Sequence, residues 1–150
     1  MANDASVTVQ ATVLPDEIAK VISGSLTVTP ADADDKWYYK KTSVTNSSTD
    51  LIDDAAKYIE YTARADDALT TVAAGDKVKF LLVKNTDTTN DVYIVADDGA
   101  AATSAVDAIK VAAGQMCCVS LPNTVVSSLH AITSSGTVTC IVAALLEDVA

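Results

Sequence analysis

A turn sequence that occurs twice constrains the fold of this chain more than any other feature. The tetrapeptide Val-Ala-Ala-Gly occupies residues 72–75 and again residues 111–114, and each copy leads into an apolar, strand-like run. The first run ends at Asn85 and the second at Asn123. A small-residue turn containing Gly, a buried strand and a terminal Asn are typical of antiparallel β-sheet proteins. The repeat therefore predicts an architecture, and it carries no catalytic signature.

The rest of the chain follows the same pattern. About nine or ten short strands succeed one another at spacings of roughly 8–12 residues, which predicts a sandwich or barrel. Hydrophobic residues make up 49% of the chain and aromatic residues only 5%, so small and β-branched side chains form the apolar mass. We expect an all-β fold, an antiparallel β-sandwich of jelly-roll or Greek-key type with at most one or two short helices. Residues 91–95 are expected to form a hairpin with residues 77–84.

The length of 150 residues suits one domain with a substantial core. Residues 6–13 alternate apolar and polar side chains, as a half-buried strand does. No linker marks a second domain, so residues 1–150 are interpreted as a single β-sandwich domain. An alternative is that residues 1–30 form an N-terminal arm that packs on a neighbouring subunit.

The charge disfavours nucleic acid and anionic membranes as partners. Twenty acidic residues against ten basic ones give a formal net charge of −10. The densest basic segment contains Lys36, Lys40 and Lys41, and acidic residues flank it. Phosphate binding requires clustered basic side chains that release counterions, and no such cluster is present. No apolar run approaches the ~18 residues that span a bilayer, and residues 1–4 lack the pattern of a secretory signal. We therefore expect synthesis and folding in a cytosol.

Three cysteines are present, Cys117, Cys118 and Cys140. An odd number of cysteines without a secretory signal indicates reduced residues that pack as small hydrophobic side chains. A disulfide between Cys140 and Cys117 or Cys118 is the alternative if their strands are adjacent.

No residue pattern indicates an enzyme, a cofactor or a structural metal. His130 is the only histidine, the Gly-x-Ser-x-Gly elbow is absent, and no Cys-x-x-Cys pair could begin a zinc site. Adjacent acidic residues recur, and solvated surface charge is their simplest interpretation. Calcium binding at a turn or between subunits is the alternative. These pairs are Asp34-Asp35, Asp53-Asp54, Asp66-Asp67, Asp97-Asp98 and Glu147-Asp148.

The aromatic side chains give the only candidate site. Trp37 and Tyr39 share one face of a predicted strand. Tyr58 and Tyr61 lie on a second predicted strand, where they face opposite ways. Such rings are consistent with core packing, with a protein interface or with a platform for carbohydrate. The four residues are the candidate interface.

Strand and turn segments follow one another in a regular order from residue 75 onward. Lys84-Asn85-Thr86 follows a buried strand, and Ala113-Gly114 precedes the next one. The segments concerned are 75–86, 91–94, 109–115, 128–132 and 136–142. Taken together, they resemble small β-sandwich structural proteins of tailed-bacteriophage virions, such as capsid decoration (cement) proteins and tail components. The resemblance covers about residues 75–146 and lies in this general order of strands and turns.

The resemblance implies a non-enzymatic virion structural protein, most specifically a decoration protein that stabilises the phage head. Such a protein would be made in the host cytoplasm and located in the virion. Its partners would be copies of itself, a trimer among the options, and the major capsid protein or other virion proteins. The alternatives are a tail or fibre component, or a β-sandwich module that binds carbohydrate or a host surface.

Overall fold

The computed structural model describes residues 4–13, 20–31, 35–55, 71–97 and 99–149. The chain divides into two compact units, Met1–Ala33 and Asp34–Ala150. Strands make up 60% of the described residues, every pairing between them is antiparallel, and the only helical element in these ranges is one 3-10 turn, Val126–Ser128. The all-β prediction is therefore confirmed.

The first unit contains a two-stranded hairpin. Strand β1 spans Ala5–Val13 and strand β2 spans Lys20–Val28. In their register Val7 lies opposite Leu26 and Ala11 lies opposite Ile22. Because side chains alternate between the two faces of a strand, these apolar residues share one face, and Ser and Thr dominate the other.

In the described part of the second unit, eight strands form two four-stranded sheets. One sheet has the order β3-β10-β5-β8 and the other has the order β4-β9-β6-β7. The strands are β3 (Asp35–Thr45), β4 (Thr49–Asp50), β5 (Lys77–Asn85), β6 (Val92–Val95), β7 (Ile109–Val111), β8 (Met116–Val125), β9 (His130–Thr133) and β10 (Thr137–Glu147).

The pairings identify this sandwich as an eight-stranded jelly roll. The first strand of the unit pairs with the last, the second with the seventh, the third with the sixth, and the two middle strands with each other. This is the pattern of one long hairpin that has been wrapped so that its strands divide between two sheets. The sandwich prediction is confirmed, including its jelly-roll form.

The core lies between the two sheets, and β10 shows how the sequence builds it. Every second residue of this strand from Val138 to Leu146 is fully buried. Inward side chains of the other strands complete the core, including Leu81 and Val83 from β5, Ile94 from β6 and Ala131 from β9. The alternation is therefore that of a sheet with one face against a core.

The repeated turns have the predicted position, just before β5 and β8. Asp76 N donates to Ala73 O over 3.1 Å, and Gln115 N donates to Ala112 O over 2.9 Å. Gly114 has a φ of 71°, which favours glycine, so only the second turn depends on the residue type. The two strands that follow the turns are neighbours, because β5 pairs with β8.

Two details of the strand predictions are wrong. Residues 92–95 do not pair with β5, because the connection after Asn85 carries the chain to the opposite sheet, where β6 pairs with β7 and β9. Asn123 does not end its strand either. It lies inside β8 with a φ of 55°, where the register against β5 shifts beside Pro122.

Candidate interaction surface

The predicted aromatic interface is only partly formed by the described residues. Trp37 and Tyr39 lie on the outer face of β3, whereas Tyr38 between them points into the core and is buried. The Trp37 ring meets Phe80 edge-on, with centroids 6.4 Å apart and planes at 78°. Tyr39 is 49% exposed. Tyr58 and Tyr61 lie outside the described residues, so their part of the prediction stays a prediction.

The outer face of this sheet is apolar around Tyr39, a feature that the aromatic residues alone did not predict. Tyr39 lies opposite Ala143, which lies opposite Leu82, and Leu82 lies opposite Cys118. The last three side chains are half-buried. The signal that indicates this row is an apolar stretch without alternation, at residues 80–83 of β5 and 140–146 of β10, which places apolar residues on both faces of the sheet.

The hairpin presents the largest exposed aliphatic side chains that share a face. Val9 is 53% exposed, Ile22 is 64% exposed and Leu26 is 42% exposed. An exposed aliphatic residue is ordinary by itself, but several on one face of a two-stranded sheet form a surface suited to a protein partner. We refer to Val7, Val9, Ala11, Ile22 and Leu26 as the arm face.

The strand edges of the two units differ in the features that hinder pairing with another chain. In the jelly roll, the edge strand β3 carries Lys40 and Lys41, and the edge strand β8 is interrupted at Pro122. Charged side chains and proline are devices that prevent an edge from pairing with another chain. Strand β1 has no charged residue and no proline, and Lys20 is the only charged residue of β2.

Ion pairs within the chain engage lysines of strands β3 and β5. Lys79 Nζ lies 2.7 Å from Asp35 Oδ1, on a carboxylate that is almost fully buried, and 3.3 Å from Glu147 Oε2. The hydrogen bond to Asp35 is the main reason why the pKa of Lys79 is raised above its ordinary value. Lys36 pairs with Asp148, and Lys40 Nζ lies 3.8 Å from Asp53 Oδ2.

Within the described residues, only one of the two ring nitrogens of His130 has a polar partner. Its Nε2 lies 3.4 Å from Asp50 Oδ1, on the neighbouring strand β4. Its Nδ1 is buried and has no hydrogen-bond partner in this part of the chain. A hydrogen bond with Asp107 is the main cause of the lowered pKa of Asp97, and His130 adds a smaller electrostatic contribution.

The cysteines are free thiols, as the sequence suggested first. Cys117 lies opposite Val83 and Cys140 lies opposite Asn85, so strand β5 separates their two strands. Two strand spacings are about 10 Å, beyond the ~7 Å between Cα atoms that a disulfide spans. Burial is the main cause that raises the pKa of both thiols, that of Cys140 to about 11.

Several of the described acidic side chains in the pairs of adjacent acidic residues stabilise the fold. Asp53 accepts a hydrogen bond from Ala55 N in its own turn, and Asp35, Glu147 and Asp148 bind lysines. Within the described ranges, no group of three or more His, Cys, Asp or Glu side chains is arranged to hold a metal ion. The pair 66–67 lies outside those ranges, as do residues 34 and 98.

Two buried polar residues fix the framework: Asp76, which was not predicted to matter, and Asn85, which was predicted only as the end of a strand. Asp76 is fully buried, and its two carboxylate oxygens accept hydrogen bonds from Ala73 N over 2.8 Å and from Val149 N over 3.1 Å. Asn85 is also fully buried, and its Nδ2 donates to Asn90 O over 2.8 Å and to Val111 O over 3.2 Å. The polar position directly after a glycine turn, or at the end of an apolar strand, is the signal that could have identified them.

Comparisons with models of protein families, with curated proteins and with solved structures find no match to this chain. None of the described residues belongs to a helix with the length and apolar character that a transmembrane segment needs.

Proposed function

We propose that this protein is a non-enzymatic structural protein of a virion, most specifically a capsid decoration protein that stabilises the head of a tailed phage. One observation carries the proposal: a jelly roll with protected edges is accompanied by a hairpin whose apolar arm face is exposed. A subunit of a protein shell needs both a rigid body and an apolar surface that becomes buried on assembly.

The fold is compatible with the proposal by analogy. Eight-stranded jelly rolls occur in viral capsid domains and also in lectins, so the fold by itself does not choose between a shell protein and a carbohydrate-binding module. Among the described residues, Tyr39 is the only strongly exposed aromatic ring, which favours the shell protein. A sugar platform uses the flat faces of exposed aromatic rings.

The charge supports the proposal in a further way. A net charge of −10 keeps free copies soluble through mutual repulsion before they dock. Lys36 and Lys79 already form ion pairs with acidic side chains of the same chain. These pairs reduce the attraction of the two lysines for a polyanion such as nucleic acid. The proposed partners are therefore other copies and a capsid or tail protein.

Light scattering on a sizing column, with and without EDTA, together with a glycan array, tests the proposal. We expect a discrete oligomer that EDTA does not dissociate and no binding to the array. Saturable cosedimentation with purified heads of the phage that carries the gene would then separate decoration from a tail role. A monomer that binds glycans would overturn the proposal, and an oligomer that EDTA dissociates would replace it with a calcium-dependent assembly.

A further inference from the structure

The geometry points to a contact between two copies of this chain, in which strand β1 pairs edge to edge with β1 of a second copy. We propose that the two strands run antiparallel, with Val9 at the centre opposite Val9 of the second copy. The product is one four-stranded sheet in the order β2-β1-β1-β2. This inference rests on the proposed structural function, since it identifies the surface through which copies associate.

The first argument is that one edge of strand β1 is unpaired within the described residues. Within the described residues β1 pairs only with β2, so its second edge has unpaired backbone groups along nine residues. A two-stranded hairpin is marginally stable in water, and three or more strands with an apolar face are needed for independent stability. Edge pairing with a second copy supplies those strands.

The second argument is the sequence of β1, which matches itself when reversed. An antiparallel pairing centred on Val9 places Val7 opposite Ala11 and Thr8 opposite Gln10 of the other copy. Apolar residues then meet apolar residues on one face, and polar residues meet polar residues on the other. The two arm faces merge into one apolar surface across the new sheet. An isologous contact of this kind closes with two-fold symmetry.

The third argument is charge, which makes β1 a surface at which two acidic copies of the chain can meet. The chain has a net charge of −10, so contacts between most of its surfaces bring acidic groups together. Strand β1 has no charged residue, so the proposed contact avoids this repulsion. The free edge of strand β2 is less suited to pairing with a second copy, because the strand begins with Lys20 and has Gly24 at its centre.

Charge reversal at the centre of the strand tests the contact. Two Val9→Lys copies would place like charges directly opposite each other, so we expect the Kd for self-association to rise at least about tenfold. Val9→Glu should do the same, and a mixture of the two variants should associate again because Lys then faces Glu. Sedimentation velocity measures all three. Val21→Lys is the matched control, since Val21 is similarly exposed, at 59%, but lies on β2 and on the opposite hairpin face.

A disulfide provides an independent test of the register. Directly opposite residues of an antiparallel pair have Cα atoms about 4.5–5.5 Å apart, within the range of a disulfide. Val9→Cys should therefore give a covalent dimer under mild oxidation, with the 9–9 linkage identified by peptide mapping. Val21→Cys should give none, because three strand spacings of about 14 Å separate the two β2 strands.

The outcomes for the contact and for the function are distinct. If Val9→Lys associates as well as Val21→Lys, or if Val9→Cys fails to cross-link, the β1 contact is overturned while the structural function remains. If the wild-type chain is a monomer that binds glycans, the proposed function fails. An unchanged far-ultraviolet circular dichroism spectrum and unfolding midpoint in each variant will show that the jelly roll is intact.

Discussion

The hairpin and the jelly roll are both built from alternating strands, yet they differ in what the alternation buries. Along β10, alternate residues from Val138 to Leu146 are fully buried between two sheets. Along the hairpin, Val9 and Ile22 are more than half exposed. The same period of two therefore specifies an apolar face without specifying what covers it. Stability in this chain should depend on the jelly roll and association on the hairpin.

The largest expected effect on stability comes from truncating a leucine side chain, and comparing one leucine from each region tests this difference. Leu81→Ala leaves a cavity in the core and should lower the free energy of unfolding by about 2–5 kcal/mol. Leu26→Ala in the hairpin should change it by less than about 0.5 kcal/mol. Urea titration followed by fluorescence of Trp37, the only tryptophan, reports on the jelly roll. Equal losses in the two variants would contradict the separation of roles.

A polar side chain from each region gives the second test. Asn85→Ala leaves the carbonyls of Asn90 and Val111 without their buried amide donor and should cost about 1–3 kcal/mol. Gln10→Ala, on the exposed polar face of β1, should be close to neutral. Thermal unfolding by calorimetry measures both, and a loss in Gln10→Ala as large as in Asn85→Ala would show that the hairpin stabilises the body.

Backbone conformation gives a smaller contrast. Gly114 has a φ of 71°, so Gly114→Ala should cost about 1 kcal/mol through strain in the turn before β8. Gly24 does not have a positive φ, and a Cβ there would meet no atom within 4 Å. Gly24→Ala should therefore be neutral or slightly stabilising. Guanidinium unfolding of the two variants provides the comparison, and a larger loss for Gly24→Ala would refute it.

The smallest expected effect concerns acid. A hydrogen bond from Asn90 N is the main cause that lowers the pKa of Asp87, and one from Thr89 N adds to it. The hydrogen bond from Lys110 is the main cause that lowers the pKa of Asp91. A carboxylate with a lowered pKa contributes stability above its ordinary value of 3.8, and this contribution disappears as the pH falls through the folded value. The jelly roll should thus lose stability below about pH 4.

Substitution of one acid tests the acid sensitivity. Asp91→Asn should reduce the dependence of the unfolding midpoint on pH between about pH 4 and pH 2. Strand β1 has no titratable side chain, so mild acid should act on its contact only through the jelly roll. An acid dependence that is identical in wild type and Asp91→Asn would assign the effect to other carboxylates.

The sequence predicted the class of fold because its signals are local. Alternation marks strands such as β1 and β10, and the repeated Val-Ala-Ala-Gly marks two real turns. The partners of the strands were harder to predict, because Glu147 lies opposite Asp35 more than a hundred residues away. No local pattern indicates such a pairing, and the assumption that successive strands form a hairpin failed for β5 and β6.

The candidate surface was predicted less well than the fold. Trp37 and Tyr39 do share an outer face, but Trp37 already packs against Phe80. A sequence pattern shows that an aromatic side chain lies on a strand. It does not show which neighbouring side chain packs against its ring. The arm face was visible as alternation in residues 6–13, but its exposure required the three-dimensional structure.

The position of β10 also determines when this protein can fold during its synthesis. This strand lies between β3 and β5 and is hydrogen-bonded to both, although it follows all the other strands in the sequence. While a ribosome is still adding residues 137–147, the first sheet has a gap at its centre and the core is open to solvent. Seven strands of the jelly roll, β3 to β9, therefore precede the strand that completes the first sheet. Until residue 147 has emerged, their inward apolar side chains are exposed, and chaperones can bind during this interval.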